Sequence, residues 1–225
     1  MEKTDSLLKH LAEFEIETRI GKAKFVNTCF GTLNLWELFS GEFCRDVSLR
    51  RKDAIVLDVG ANWGLYSIKV AVANPQAEIY AFEPVGFLYS KLKKNIEISG
   101  AKNIRPFELG LGDFKGKAKI RDDGSILSKG AVIETVKIDL LDNFVLKNRI
   151  NRVDYVKVDI EGAEYKFLLG AKRSLKKWKP SLSIELHPWN CKNVDVKISK
   201  LLRTLGYEHV WVPKEDKRLL RAEPN

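Results

Sequence analysis

The rhythm of apolar and polar positions changes near residue 50. Before it, Phe14 to Ile20 (FEIETRI) alternates with the two-residue period of a strand, Gly21-Lys22 is turn-like, and Ala23 to Thr28 predicts a returning strand. Ser6 to Ala12 reads as a short amphipathic helix. Leu35, Leu38 and Phe39 share one face of a second helix over Leu33 to Phe39. After it, short apolar runs alternate with helical patterns. Strands are predicted at Ala54–Asp58, Ala77–Phe82, Asn103–Glu108, Val153–Val158 and Ser181–Leu186. Helices are predicted at Trp63–Ala73, stopped by Asn74-Pro75, at Phe87–Ser99, closed by Gly100, at Ala163–Leu175 and at Val194–Leu205. An irregular stretch with Gly110, Gly112, Gly116 and Gly124 predicts a hairpin of Lys117–Arg121 with Val132–Lys137, and Glu208–Val212 with Arg218–Arg221 a closing antiparallel hairpin.

Strands separated by helices of this length imply an α/β fold, a mostly parallel sheet with helices on both faces. At 225 residues the chain fits one domain with a small appendage. Residues 1–50 read as an N-terminal cap or lid, and residues 51–225 as the main domain. Ligands of such sheets bind at the carboxyl ends of the strands, near the switch in strand order. The chemistry is therefore expected just after residues 58, 82, 108, 158 and 186.

Composition changes this picture little. Hydrophobic residues at 44% and charged residues at 31% suit a chain that folds around a core rather than a disordered one. Cys29, Cys44 and Cys191 are an odd, widely spaced set with no C-x-x-C. They argue against a disulfide framework and a Cys-rich zinc site, and point to a reducing, cytoplasmic compartment. The N-terminal residues lack a signal-like apolar run, and nothing approaches 18 consecutive apolar residues. Lys and Arg exceed Asp and Glu by 39 − 30, a net charge of +9. That excess reads either as a solvated surface or as attraction to an anionic partner, a membrane surface included. The one dense run is Lys172, Arg173, Lys176, Lys177 and Lys179.

The strand ends carry the candidate chemistry. Asp58-Val59-Gly60-Ala61-Asn62-Trp63-Gly64 follows the first strand. Gly60 permits the sharp turn, and Gly64 lets the next helix approach. The spacing is G-x-x-x-G, not the dinucleotide G-x-G-x-x-G. Asp58 at the loop mouth would repel a pyrophosphate and attract an ammonium and a sulfonium, the charges of S-adenosylmethionine. A structural turn with a capping aspartate is the plainer reading. Glu83, in Phe82-Glu83-Pro84, stands where an acid accepts from ribose hydroxyls. Gly110-Leu111-Gly112-Asp113 offers backbone and a carboxylate to the adenine, though a tight loop explains it equally well. The fourth strand ends in Lys157-Val158-Asp159-Ile160-Glu161-Gly162-Ala163-Glu164, and the fifth in Glu185-Leu186-His187-Pro188-Trp189. Strand alternation puts Glu185 and His187 on one face. If the two strands are neighbours, Asp159, Glu161, Glu185 and His187 converge, either as a general base for a hydroxyl or as oxygen and imidazole ligands for a divalent cation. Glu164 reads as a carboxylate at a helix N-terminus, and His10 and His209 as surface or packing residues.

These residues resemble the FkbM-type S-adenosylmethionine-dependent methyltransferases. The matching pieces are VLDVGANWGLYSI (56–68), YAFEPVGFLYSKLKKNI (80–96), TVKIDLLDNF (135–144), VDYVKVDIEGAEYKFLLGA (153–171) and LSIELHP (182–188), within roughly 54–190. The resemblance implies a Rossmann-like seven-stranded methyltransferase fold and, in many members, O-methylation of a sugar, lipid-linked glycan or natural product. It implies that Asp58, Gly60, Asn62, Gly64 and Glu83 line the cofactor and that Asp159 and its neighbours face methyl transfer. The acceptor does not carry over, and whether a metal takes part is left open.

Three functions compete. An O-methyltransferase acting on a carbohydrate, glycolipid or small-molecule hydroxyl is favoured. A nucleic-acid methyltransferase draws on the charge and the run at 172–179, but the fourth strand ends in Asp159-Ile160-Glu161-Gly162, not the Asn-Pro-Pro-aromatic motif that grips a base amine. An acidic pocket also repels phosphate. A non-catalytic S-adenosylmethionine-binding module is the third. Trp63 and Trp189 are expected near the pocket mouth, where they would stack on a sugar ring or simply pack.

Overall fold

The computed structural model describes residues 51–121, 130–187, 193–213 and 218–224, and before them only the backbone of two strands. These are β1 (Ala12–Thr18) and β2 (Gly21–Asn27), an antiparallel pair. Thr18 pairs with Gly21, so Gly21 and Lys22, expected as the turn, open the second strand instead. The helix expected at Leu33–Phe39 lies outside the described residues. So does the helix expected at Ser6–Ala12, except that Ala12 opens β1.

From residue 55 the elements run β3 (Ile55–Val59), α1 (Leu65–Ala73), β4 (Glu78–Phe82), α2 (Gly86–Ser99), β5 (Ile104–Phe107), β6 (Gly110–Leu111), β7 (Gly116–Arg121), β8 (Val132–Asp139), α3 (Leu141–Lys147) and β9 (Tyr155–Val158). They continue through α4 (Glu164–Gly170), α5 (Lys172–Trp178), β10 (Ser181–Glu185), α6 (Val194–Thr204), β11 (His209–Trp211) and β12 (Leu219–Glu223). The main sheet has seven strands in the order β11-β12-β10-β9-β3-β4-β5. Its pairs are parallel from β10 to β5, while β12 runs antiparallel to β10 and β11. Strand order reverses between β3 and β9, which opens a crevice at their carboxyl ends.

Alternation along β3 divides the core. Val56 packs with Ile68, Val70, Ile79 and Leu92, under α1 and α2. Leu57 and Val59 face the opposite way, toward Phe144, Phe167, Leu168, Ile198 and Leu202 of α3, α4 and α6. Burying one such side chain contributes about 1.5–3 kcal/mol. Helix α3 and strand β6 have no counterpart in the sequence expectations. The ring of Phe144 docks α3, edge-on to both Phe82 and Phe107 at 4.8 Å. β6 and β8 pair in parallel, and β8 pairs with β7, giving a second, three-stranded sheet.

Two helix boundaries differ from those expected. Asn62 and Gly64 both have positive φ, so α1 starts at Leu65 instead of Trp63. The helix expected over Ala163–Leu175 is broken at Ala171. Asp142 of α3 accepts hydrogen bonds from the backbone N–H groups of Arg173 (3.0 Å) and Ser174 (2.8 Å), capping α5 as a separate helix. Gly170 meanwhile lies so close to the Gly112 carbonyl that an added Cβ would stand 1.9 Å from its oxygen.

Candidate active site

The turn after β3 has room only for glycine at position 60. Gly60 has φ +83°, and a Cβ there would meet the Asp159 carbonyl oxygen at 1.8 Å. The turn is pinned from β4, since the N–H groups of Gly60 and Ala61 both donate to the Phe82 carbonyl, at 3.0 and 2.9 Å. Glu83, at the tip of β4, continues the tie. Its Oε2 accepts from the Asn62 N–H at 2.8 Å and its Oε1 from the Val85 N–H at 2.9 Å. Burial pushes the Glu83 carboxyl up to about 7 against the pull of these two N–H groups.

Asp58 lies elsewhere than at the loop mouth. It is fully buried, with Oδ2 accepting from Ser67 Oγ at 2.6 Å and Oδ1 facing Lys157 Nζ at 3.4 Å. Lys157 has no role in the sequence reading, where it is only the residue two before Asp159. In the fold its ammonium donates to the Gly60 carbonyl at 2.9 Å and pairs with Asp159 Oδ2 at 3.3 Å. Burial works against its charge, but Asp58 and Asp159 outweigh it and raise its pKa.

β9 and β10 are neighbours, so the acids at their tips meet. His187 is 3% exposed. Its Nδ1 lies 2.6 Å from Glu164 Oε1, and its Nε2 lies 3.4 Å from Glu161 and 3.8 Å from Asp159. Burial disfavours the imidazolium. The Glu164 hydrogen bond, and the charges of Glu164, Glu161 and Asp159, override it and push the ring up to about 9. At neutral pH His187 is thus a cation and a donor, not a base. Glu185 is pushed up to about 7 by burial first and by the Asp159 charge second, with Arg218 at 3.8 Å. Glu164 is more than the helix-end carboxylate its position suggests. It is fully buried, and the same Oε1 that meets His187 accepts from the Gly162 N–H at 2.8 Å. Asp159, Glu161 and His187 each bring one ligand-type atom within 4.8 Å of the others, so a cation shared among them would have to displace the Nε2 proton of His187.

One cavity of about 430 Å³ joins these groups, within the ~300–1,000 Å³ range of small-molecule sites. Gly60, Asn62 and Glu83 line one end, and Asp159, Glu161, Glu185, His187 and Arg218 the other. Leu88, Leu109, Ile120 and Ile138 give it an apolar wall. Of the ten residues singled out in the sequence, Asp58, Gly64 and Asp113 are not in the lining. Gly64 instead faces the Leu92 side chain, under α2. Asp113 is exposed, because the chain leaves the cavity at Gly112 to enter the β7–β8 hairpin. Trp63 lines a smaller adjoining cavity with Tyr66, Lys69 and Lys157, and Trp189 lies outside the described residues. The lysines of α5 line neither cavity. No helix among the described residues is long and apolar enough to cross a membrane.

Residues 58–209 match the family described as Methyltransferase FkbM domain. The chain is 22% identical over 222 residues to Methyltransferase sdnD of Sordaria araneosa, covering 80% of this chain and 85% of that protein. It is 22% identical over 152 residues to 2-O-methyltransferase NoeI of Sinorhizobium fredii, covering 57% of this chain and 62% of the relative. For Hexuronic acid methyltransferase AglP of Haloferax volcanii the figures are 27% over 159 residues, 67% and 62%. The solved structure of Methyltransferase FkbM from Methylobacillus flagellatus KT shares the fold, with a TM-score of 0.61 at 17% identity, covering 81% of this chain and 47% of that one. The chain therefore spans under half of that structure's length.

Proposed function

This chain belongs to the FkbM methyltransferase family, and from that premise we propose that it transfers a methyl group from S-adenosylmethionine to a hydroxyl oxygen of a carbohydrate or glycolipid. The observation that carries this reading is that one cavity has a backbone-held carboxylate, Glu83, at one end and Asp159, Glu185 and His187 at the other. The residues fit the donor. Both Glu83 oxygens are anchored by N–H groups and keep lone pairs for ribose hydroxyls. The apolar wall of Leu88, Leu109, Ile120 and Ile138 suits a flat base. When bound, S-adenosylmethionine supplies a methyl group on a sulfonium, so the protein has no leaving group to activate.

What the protein must do is hold the acceptor hydroxyl and remove its proton as the carbon–oxygen bond forms. Glu185, held near pH 7, is matched to that task, because a base works best with a pKa near the working pH. Asp159, beside it, raises its pKa through its own charge and accepts from a second hydroxyl of the acceptor. His187 balances the carboxylate charge and donates toward Glu161 and Asp159. The names of NoeI and AglP, a 2-O-methyltransferase and a hexuronic acid methyltransferase, support a sugar-like acceptor. The acidic end of the cavity speaks against a phosphate chain, and so against nucleic acid. Exposed Lys172, Arg173, Lys176 and Lys177, outside the cavity lining, support peripheral attraction to an anionic membrane. The cysteine pattern supports a cytoplasmic site of action. Residues 1–50 are proposed as the cap.

Labelled S-adenosylmethionine offered in parallel with RNA, DNA and a cell-envelope glycan fraction tests the reading. Label in the glycan fraction is expected, whereas label in nucleic acid alone overturns it. Activity that survives a chelator excludes an essential metal at Asp159, Glu161 and His187. Loss restored by magnesium or manganese requires one.

A further inference from the structure

We propose that Lys157 is a positioning residue that locks the turn after β3 to the acceptor-side carboxylate, so that the two ends of the cavity keep a fixed separation. The inference rests on the functional reading above for what the two ends bind, but its geometry stands without it. Lys157 lies on β9, and its side chain is only 7% exposed. Its ammonium reaches groups on two segments. It donates to the Gly60 carbonyl at 2.9 Å, faces Asp58 Oδ1 at 3.4 Å and faces Asp159 Oδ2 at 3.3 Å. The Tyr66 ring on α1 lies 5.9 Å from it.

The first contact bears on the turn itself. The N–H groups of Gly60 and Ala61 are tied to β4, and Lys157 ties the Gly60 carbonyl to β9. The turn is thus clamped from both sides of the point where strand order reverses. The third contact bears on Asp159. With Oδ2 drawn to Lys157, Oδ1 is the oxygen that lies toward His187. One cation therefore orients a carboxylate at one end of the cavity and a backbone turn at the other. The simpler role would be to neutralise Asp58, which is fully buried and would be costly to leave unpaired.

A double variant separates the two roles. Lys157→Met alone leaves Asp58 as an uncompensated buried charge and is expected to unfold easily. Asp58→Asn with Lys157→Met removes both charges, and its melting temperature should return close to that of the natural protein. Amide hydrogen exchange in the ligand-free proteins then decides. If Lys157 positions the turn, exchange at Gly60, Ala61 and Asn62 is at least about tenfold faster in the double variant, the effect of one lost hydrogen bond on local opening. Unchanged exchange in a stably folded double variant reduces Lys157 to a counter-ion for Asp58 and overturns the proposal. If the double variant fails to fold, Asp58→Asn alone, with Lys157 kept, should exchange as the natural protein does. Acceleration in it would assign the clamp to Asp58 and equally overturn the proposal. Calorimetry with S-adenosylhomocysteine is a separate arm. An approximately tenfold weaker affinity in the double variant is expected. A natural protein that binds none at all sinks the methyl-donor reading, while the exchange data still judge Lys157.

Discussion

The two ends of the cavity are built on different principles. At the β3–β4 end the carboxylate of Glu83 is held by backbone N–H groups of Asn62 and Val85, one of them two residues away. At the β9–β10 end, His187 is held by side chains, with Glu164 beneath it and Glu161 and Asp159 beside it. Backbone anchors survive most substitutions and give one fixed geometry. Side-chain anchors can each be removed, and they couple protonation states. On the function proposed above, the first end suits recognition of the methyl donor, and the second suits proton handling at the acceptor.

Substitutions at the two ends should therefore differ in kind. The largest effect is expected at the acceptor end. Asp159→Asn and Glu185→Gln should each slow methyl transfer by about 10²–10⁴-fold, the usual contribution of a positioned base, with S-adenosylhomocysteine affinity within about twofold of the natural protein. Rates with labelled donor, set beside calorimetry, check this. An equal loss in affinity would erase the division between the ends.

Next in size is the support beneath His187. Glu164→Ala strips a fully buried carboxylate from His187 Nδ1 and the Gly162 N–H. It should lower unfolding free energy by about 3–5 kcal/mol, as for a broken buried pair. Denaturant titration measures it, and a loss below about 1 kcal/mol would show that His187 is held by something else.

At the donor end, Glu83→Ala should weaken S-adenosylhomocysteine binding by about 1–3 kcal/mol, the range for hydrogen bonds to a charged group. Because Glu83 titrates near 7, affinity should also fall as pH drops through that value, as its carboxylate gains a proton. Glu83→Gln should abolish this dependence. Calorimetry across pH 5–9 on both proteins would reveal a dependence arising from another group.

The broadest effect is on stability with pH. Glu83 and Glu185 rise from 4.5 to about 7 on folding, and His187 from 6.5 to about 9. A raised folded-state pKa means that the folded protein holds the proton more tightly. Each contribution is full below the unfolded value and is lost as pH rises through the folded one. Melting temperature should fall in two stages, from about pH 4.5 to 7 and from about 6.5 to 9. The second stage belongs to His187, and His187→Gln should remove it.

Much of this arrangement is legible in the sequence. Turn chemistry and period locate β3, β4, β9 and β10 within two residues at either end, and so set Asp159, Glu161, Glu185 and His187 at or just past strand tips; their meeting around one cavity requires β9 beside β10, which the sheet order supplies. The misses share a cause. Asp58 is expected at the loop mouth because it is acidic and ends a strand, but alternation turns it inward to Ser67 and Lys157. Asp113 is expected at the adenine because it follows two glycines, but those glycines serve the crossing into a second sheet. Glu164 looks like an ordinary first-turn acid, since nothing nearby in sequence reveals that His187, 23 residues on, lies against its carboxylate.

The sequence by itself determined what depends on near neighbours. It set the alternation of strands and helices, the tight turn at Gly60, the acid at the tip of β4 and the concentration of acids after β9. Tertiary structure alone decided which charges meet. Lys157 reaches Gly60 across 97 positions, and Asp142 splits a helix 31 residues away. Backbone conformation responds to the residues on either side of a peptide, whereas a buried charge takes its partner from whichever strand the sheet order sets beside it.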